Sequence, residues 1–179
     1  MLDTIRNVFQ HPAFKLPGLG SDQRAFGSER PVRTYAYDGA GYVERAVACY
    51  DFSKHGGAQS TIDLNTVSSG RPLGRAFSIG EIILGGFVVV ETLFAGATAT
   101  IGIGVTGGGG YGTVGVLAAT AVATFDEGGV IPLVQTYAGA GEIALPLSAA
   151  GNLSVTIATA DLTAGKAYIV LEIYGNHNG

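Results

Sequence analysis

Hydrophobic and polar residues alternate most regularly between Glu142 and Tyr174, where turn residues cut the chain into three runs. In the first, Ile143, Leu145 and Leu147 share one side. In the second, Leu153, Val155 and Ile157 oppose Ser154, Thr156 and Ala158. In the third, Ala167, Ile169, Leu171 and Ile173 oppose Lys166, Tyr168, Val170, Glu172 and Tyr174. Successive side chains of a strand point to opposite faces, so a period of two predicts strands that bury one face. The other face of the last run is expected to meet a second sheet, a neighbouring subunit or the N-terminal segment rather than water.

The same pattern recurs upstream. ERAVACYDF and STIDL predict strands, followed by the loop NTVSSGRPLG. AFSIGEIILGGFVVVET predicts one or two strands, with Gly85-Gly86 marking a bulge or bend. In ATATIGIGV, Ala99, Ile101, Ile103 and Val105 oppose Thr98, Thr100, Gly102 and Gly104. TGGGGYG reads as a flexible loop and PLVQTYAGAG as a turn. One segment dissents: in TVGVLAATAVATF, Val114, Leu117, Ala118, Ala121, Val122 and Phe125 fall at helical spacing, and helix and strand stand level. About eight strands joined by short turns, with at most one or two short helices, predict an all-β fold. A β-sandwich or jelly roll over residues 43–179 is the expected architecture.

Residues 1–42 have a different texture. Pro12, Pro17, Pro31 and the stretch GLGSDQRAFGSER interrupt any regular element, and His11-Pro12 ends a short amphipathic turn carrying Leu2, Ile5, Val8 and Phe9. We read this span as an extended N-terminal arm that grips something outside the core. Its contact candidates are Phe9, Phe14, Arg24, Phe26, Arg30, Arg33, Tyr35 and Tyr37. The competing reading is a terminus without fixed structure.

Composition sharpens this picture. Charged residues make up 13% of the chain against the usual ~25%, while hydrophobic residues reach 47%. So few charges cannot cover a large solvated surface, which implies that a partner or further copies of the chain cover part of it. The bland alternative is that alanine, which tolerates exposure, inflates the hydrophobic count. A net charge of -4 argues against direct nucleic-acid binding through phosphates. Nine of the ten Lys and Arg lie between Arg6 and Arg75, leaving the front of the chain at +2 and the remainder at -6. Cys49 is the single cysteine, so neither an intramolecular disulfide nor a thiolate metal site is available. The start, MLDTIRNVFQHPAF, lacks the apolar stretch of a secretory signal. The uncharged run from Ile82 to Val90 is far shorter than the ~20 residues of a membrane helix, so no membrane partner is expected.

Candidate chemistry is sparse. Gly102, Gly104 and Gly107 form a G-x-G-x-x-G, the spacing that brings a backbone close to a dinucleotide pyrophosphate. A chain with 29 glycines produces this spacing by chance, and the alternating helices of a parallel sheet are missing. Glycines on one strand face more often let another backbone pack closely. GGGGYG lacks the Lys-Ser/Thr of a phosphate loop. His11, His55 and His177 are dispersed, and Asp51, Ser53 and His55 read as turn residues rather than a nucleophile and its base. Asp126-Glu127 precedes two glycines as an ordinary turn. Tyr35, Tyr37, Tyr42 and Tyr50 crowd the approach to the first strand, where packing is favoured over sugar stacking. No cofactor and no catalytic site are expected.

Three phrases, FVVVETLFAGATATIGIGV, GVLAATAVATF and IALPLSAAGNLSVTIATADLTAGKAYIVLEIYG, follow one another in an order that is similar to small structural proteins of tailed-bacteriophage virions. These are the capsid decoration, cement or head-fibre type, and the resemblance covers roughly residues 80–175, with the turn at Ala158 to Lys166 leading into the last strand. It implies a non-enzymatic virion protein on the capsid surface, made in the host cytoplasm. It further implies the major capsid protein as partner and a homo-oligomer, commonly a trimer at quasi-threefold positions. The implied role is mechanical, bridging neighbouring capsid subunits and stiffening the shell. The runner-up is a receptor- or glycan-binding spike or fibre module, with Tyr111 and Tyr137 as exposed tip aromatics.

Overall fold

The computed structural model describes residues 32–35, 42–65, 74–107, 109–137 and 144–175, with the backbone alone for 32–35 and 42. All of them belong to one compact unit, Pro31–Gly179. Ten strands are described: β1 (Val32–Tyr35), β2 (Tyr42–Asp51), β3 (Ser60–Asp63), β4 (Ala76–Phe77), β5 (Ile82–Ala95), β6 (Thr100–Thr106), β7 (Leu117–Ala121), β8 (Val130–Pro132), β9 (Gly151–Ala158) and β10 (Ala164–Gly175). A single helical turn, α1 (Phe52–His55), follows β2.

The pairing pattern is nested. β2 pairs with β10, β3 with β9, β5 with β8 and β6 with β7, all antiparallel, as in one long hairpin wound on itself. Winding also brings β5 beside β10 and β6 beside β9. The result is two sheets, β1-β2-β10-β5-β8 (sheet A) and β3-β9-β6-β7 with β4 beside β9 (sheet B). This is the jelly-roll form of a β-sandwich, as the strand pattern predicted.

The inward residues are those that the alternation selects. Ala167, Ile169, Leu171 and Ile173 of β10 are buried beside Ala46, Ala48 and Tyr50 of β2 and Val88 and Val90 of β5. Ile101, Ile103 and Val105 of β6, with Leu153, Val155 and Ile157 of β9, complete the core. Burying each large aliphatic chain contributes about 1.5–3 kcal/mol. At Gly85-Gly86 the expected bulge is present: the β5–β10 register shifts between Glu172 and Ile173, leaving Leu84 unmatched. Gly86 is required there, because its φ is +144° and a Cβ would strike the Val170 carbonyl oxygen.

One expectation is corrected and one open alternative is settled. Residues 144–147 of the run EIALPL form no strand. Pro146 has no N–H for a ladder, and Leu147 instead exchanges backbone hydrogen bonds with the loop at Gly80 and Glu81, 2.9 and 2.8 Å. Its alternation fills the core, where Leu147 is buried, without forming a sheet. The dissenting segment resolves as strand β7 between two 3-10 turns, Gly112–Val114 and Val122–Thr124. Those turns produce the helix-like spacing, and pairing to β6 satisfies the strand backbone. Residues 32–35, within the span read as arm, join sheet A through β2.

Candidate interaction surface

The outer faces of the two sheets are built from different residues. On sheet A, antiparallel register places side chains in straight rows across the strands. One row is Val47, Val170, Phe87 and Pro132; the next is Cys49, Tyr168, Val89 and Val130. Val47 is 61% exposed, Val130 62% and Tyr168 37%, while Phe87 and Val89 are half-buried. Val170 and Cys49, in the same two rows, are buried at 9% exposure each, so the band is exposed at Val47, Val130 and Tyr168 and not along its whole length. Sheet B packs on the opposite, Ile169 side of β10.

Ion pairs fence the band at both ends. At one end Arg45 Nη2 donates to Glu172 Oε1 at 2.6 Å. At the other, Lys166 Nζ donates to Glu91 at 2.9–3.0 Å and lies 5.5 Å from the centre of the Tyr168 ring. The hydrogen bond to Lys166 holds the Glu91 carboxyl below its ordinary range, and the same contact raises Lys166. Glu91 also pushes the Tyr168 phenol up. Burial raises the Cys49 thiol, which keeps it protonated and apolar within the band.

Sheet B is covered by its own chain. The 3-10 turn Gly112–Val114 lies on β6 because Gly102 and Gly104 have no side chains. A Cβ at Gly102 would meet Val114 Cγ1 at 2.5 Å, and one at Gly104 would run into Gly112 and Thr113 backbone. Thr156 Oγ1 of β9 donates to the Thr113 carbonyl at 3.1 Å, and Thr61 donates to Thr156 at 3.1 Å. The G-x-G-x-x-G spacing thus seats a backbone lid, and the lid fills the space a pyrophosphate would need.

The remaining candidate groups are structural. Asp51 caps α1: Ser53 N–H and Oγ both donate to Asp51 Oδ1, at 2.9 and 2.6 Å, which lowers the Asp51 pKa. Ser53 therefore faces the aspartate rather than the histidine. His55 stacks on Tyr50, with ring centroids 5.5 Å apart, and burial lowers its pKa. Arg75 Nη2 lies 2.9 Å from Glu81 Oε1 and 3.6 Å from Glu44 Oε1, so one guanidinium neutralises two buried carboxylates at the end of the sandwich. Glu44 Oε1 accepts no hydrogen bond, and the ion pair alone compensates its burial. Among the described residues no three His, Cys, Asp or Glu could hold a metal. Between the sheets, the space lined by Tyr50, Val88, Phe94, Ile103 and Phe125 amounts to about 10 Å³, room for no more than a water.

Of the sequence-chosen contact residues, Phe9, Phe14, Arg24, Phe26, Arg30 and Tyr37 lie outside the described residues. Arg33 and Tyr35 fall on β1, in register with Glu44 and Tyr42. Tyr111 is no exposed tip aromatic: it is buried, packs edge-on against Tyr137, and donates to the Leu145 carbonyl at 3.0 Å. Tyr137 donates to Pro146 at 3.1 Å. The sequence singled out the Tyr168 and Val170 face of the last strand as one to be covered, but not its continuation across Val47 and Cys49 of β2, Phe87 and Val89 of β5 and Val130 and Pro132 of β8. No helix among the described residues is long and apolar enough to cross a membrane.

The fold has solved counterparts. A chain of the cyanophage Pam1 capsid asymmetric unit superposes with a TM-score of 0.50 at 13% identity, covering 89% of this chain and 99% of that one. A chain in the capsid of Ralstonia phage GP4 gives 0.51 at 18% identity, covering 82% and 92%. At these identities the likeness is one of fold. No protein-family model matches the chain, and no curated protein matches it.

Proposed function

We propose that this chain is a structural protein of a phage virion, of the capsid decoration or cement type. The observation that carries the reading is the apolar band on a charge-poor jelly roll, exposed at Val47, Val130 and Tyr168, a surface suited to protein contact. The likeness to capsid chains over nearly their whole length supports it, as does the sequence resemblance. The N-terminal arm grips the major capsid protein through Phe9, Phe14, Arg24, Phe26, Arg30, Arg33, Tyr35 and Tyr37. Copies of the chain associate with one another, so that several weak arm contacts act together. The chemistry is mechanical rather than catalytic.

Microscopy of intact particles with and without the protein tests this reading. Particles lacking it are expected to lose resistance to heat and dilution; equal resistance overturns the cement role. Replacing Phe9, Phe14 and Phe26 by Ser is expected to leave a folded protein that no longer attaches, and unimpaired attachment removes the arm from the mechanism. The glycan-binding alternative needs exposed tip aromatics, and Tyr111 and Tyr137 are committed to backbone carbonyls.

A further inference from the structure

On the adjacent strands β2 and β10 the charges bordering the sheet A band are antisymmetric about its centre. Glu91 of β5, paired with Lys166 of its own chain, has only Gly85 in the corresponding position at the other end. Ala48 and Ile169 are register partners and mark the midline between the two apolar rows. On β10, Glu172 lies three positions to one side of that midline and Lys166 three to the other. On β2, Arg45 and Asp51 lie three positions to either side, with their signs reversed relative to β10. Arg45, Glu172 and Lys166 sit at the rim, and Asp51 completes the pattern while it also caps α1.

We propose that the outer face of sheet A is a self-association surface, on which two copies stack face to face about a twofold axis running across the strands. That operation carries each strand onto its own copy with its ends exchanged. Glu172 then faces Lys166 of the second copy, and Arg45 faces the second copy's Asp51. The Val170 row meets the Tyr168 row, so apolar side chains close on one another. A twofold axis along β10 instead sets Lys166 on Lys166 and Glu172 on Glu172, and like charges facing each other disfavour it. Aligned sheets packed at about 30° keep such near-axis matches within reach. A closed trimer uses two different patches on each copy and has no need of a self-matching one.

Area decides how strong this contact is. Four strands about 4.8 Å apart and seven residues at about 3.4 Å each give a face of roughly 400 Å² per copy. That is about half of the ~800 Å² per partner in standard stable interfaces. The pair is therefore concentration-dependent, and it forms where copies are held close together.

Sedimentation of the full chain over a wide concentration series tests this directly, without any particle. Wild type is expected to move from monomer to dimer as concentration rises. Val47→Asp, at an exposed position, is expected to weaken the dimer by more than about tenfold with an unchanged circular dichroism spectrum. Glu172→Lys alone is expected to weaken it as well, and adding Lys166→Glu is expected to restore association, because positions 172 and 166 face each other across the axis. A wild type that stays monomeric throughout overturns the proposal, as does a trimer, or a double exchange no better than Glu172→Lys alone. Capsid binding can fail or succeed independently of each of these outcomes.

Discussion

The two sheets of this jelly roll share one core but treat their outer faces in opposite ways. Sheet B places Gly102 and Gly104 on its outer face, and the chain itself fills the space with the turn Gly112–Val114. Sheet A places Val47, Val170, Phe87, Val89 and Val130 there, and of these Val47 and Val130 are more than half exposed while Val170 is buried. Charge follows the same division. Residues 92–125, which contribute β6 and β7, carry no charged side chain at all, whereas sheet A keeps Arg45, Glu91, Lys166 and Glu172 at its rim. A small residue on a sheet face recruits the chain's own backbone, while a β-branched one leaves area for another molecule. The contrast teaches that low charge has two outlets in this protein, self-coverage on one side and a partly exposed apolar face on the other.

The largest way to break the contrast is to put a side chain under the lid. Gly104→Val forces the Gly112 and Thr113 backbone away and is expected to cost about 3 kcal/mol, read as a lower denaturant midpoint. A midpoint like wild type would falsify the tightly seated lid. Removing the lid's tether is a gentler perturbation. Thr156→Val loses the donor to the Thr113 carbonyl and is expected to cost about 1 kcal/mol. An unchanged stability means that the turn is held by packing alone.

On sheet A the same kind of change is expected to leave the fold almost untouched. Val47→Thr or Val130→Thr alters an exposed position and should stay within about 0.5 kcal/mol in unfolding experiments. A larger loss in the isolated monomer shows that the band is covered intramolecularly, which sinks the comparison. The smallest effect concerns pH. Glu91 has a carboxyl pKa lowered by Lys166, so its pairing stabilises the protein above the ordinary carboxylate range and is lost as pH falls through the lowered folded value. Glu91→Gln should flatten that part of the acid stability profile. A profile identical to wild type places the acid sensitivity elsewhere, for instance at Asp51, whose pKa is lowered by Ser53.

Much of the fold was legible because period-two patterning is a local property. β6, β9 and β10 bury the residues that alternation selects, and the bulge at Gly85-Gly86 falls where paired glycines suggested one. Failures came where an apolar residue served something other than a ladder. Leu147 points into the core from an irregular segment, and Val114 and Val122 belong to 3-10 turns flanking β7. The glycine spacing was correctly read as room for another backbone, although which backbone was beyond reach. The interaction surface was not legible as a unit. Its eight residues come from β2, β5, β8 and β10, and no window of sequence contains them together.

By itself the sequence determined that this chain is all-β, that each long strand buries one face, and that too few charges exist to cover the rest. Those properties depend only on neighbours along the chain, because side chains alternate whatever the strand pairs with. Tertiary structure alone decided which strands lie side by side and in what register. Val47 and Val170 are far apart in sequence and become neighbours only when β2 and β10 exchange hydrogen bonds, and the same pairing sets Glu172 and Lys166 on opposite sides of one midline. A one-residue slip would turn every one of these side chains into the core, so burial of Ile169 and Leu171 fixes the outer face as firmly as the inner one.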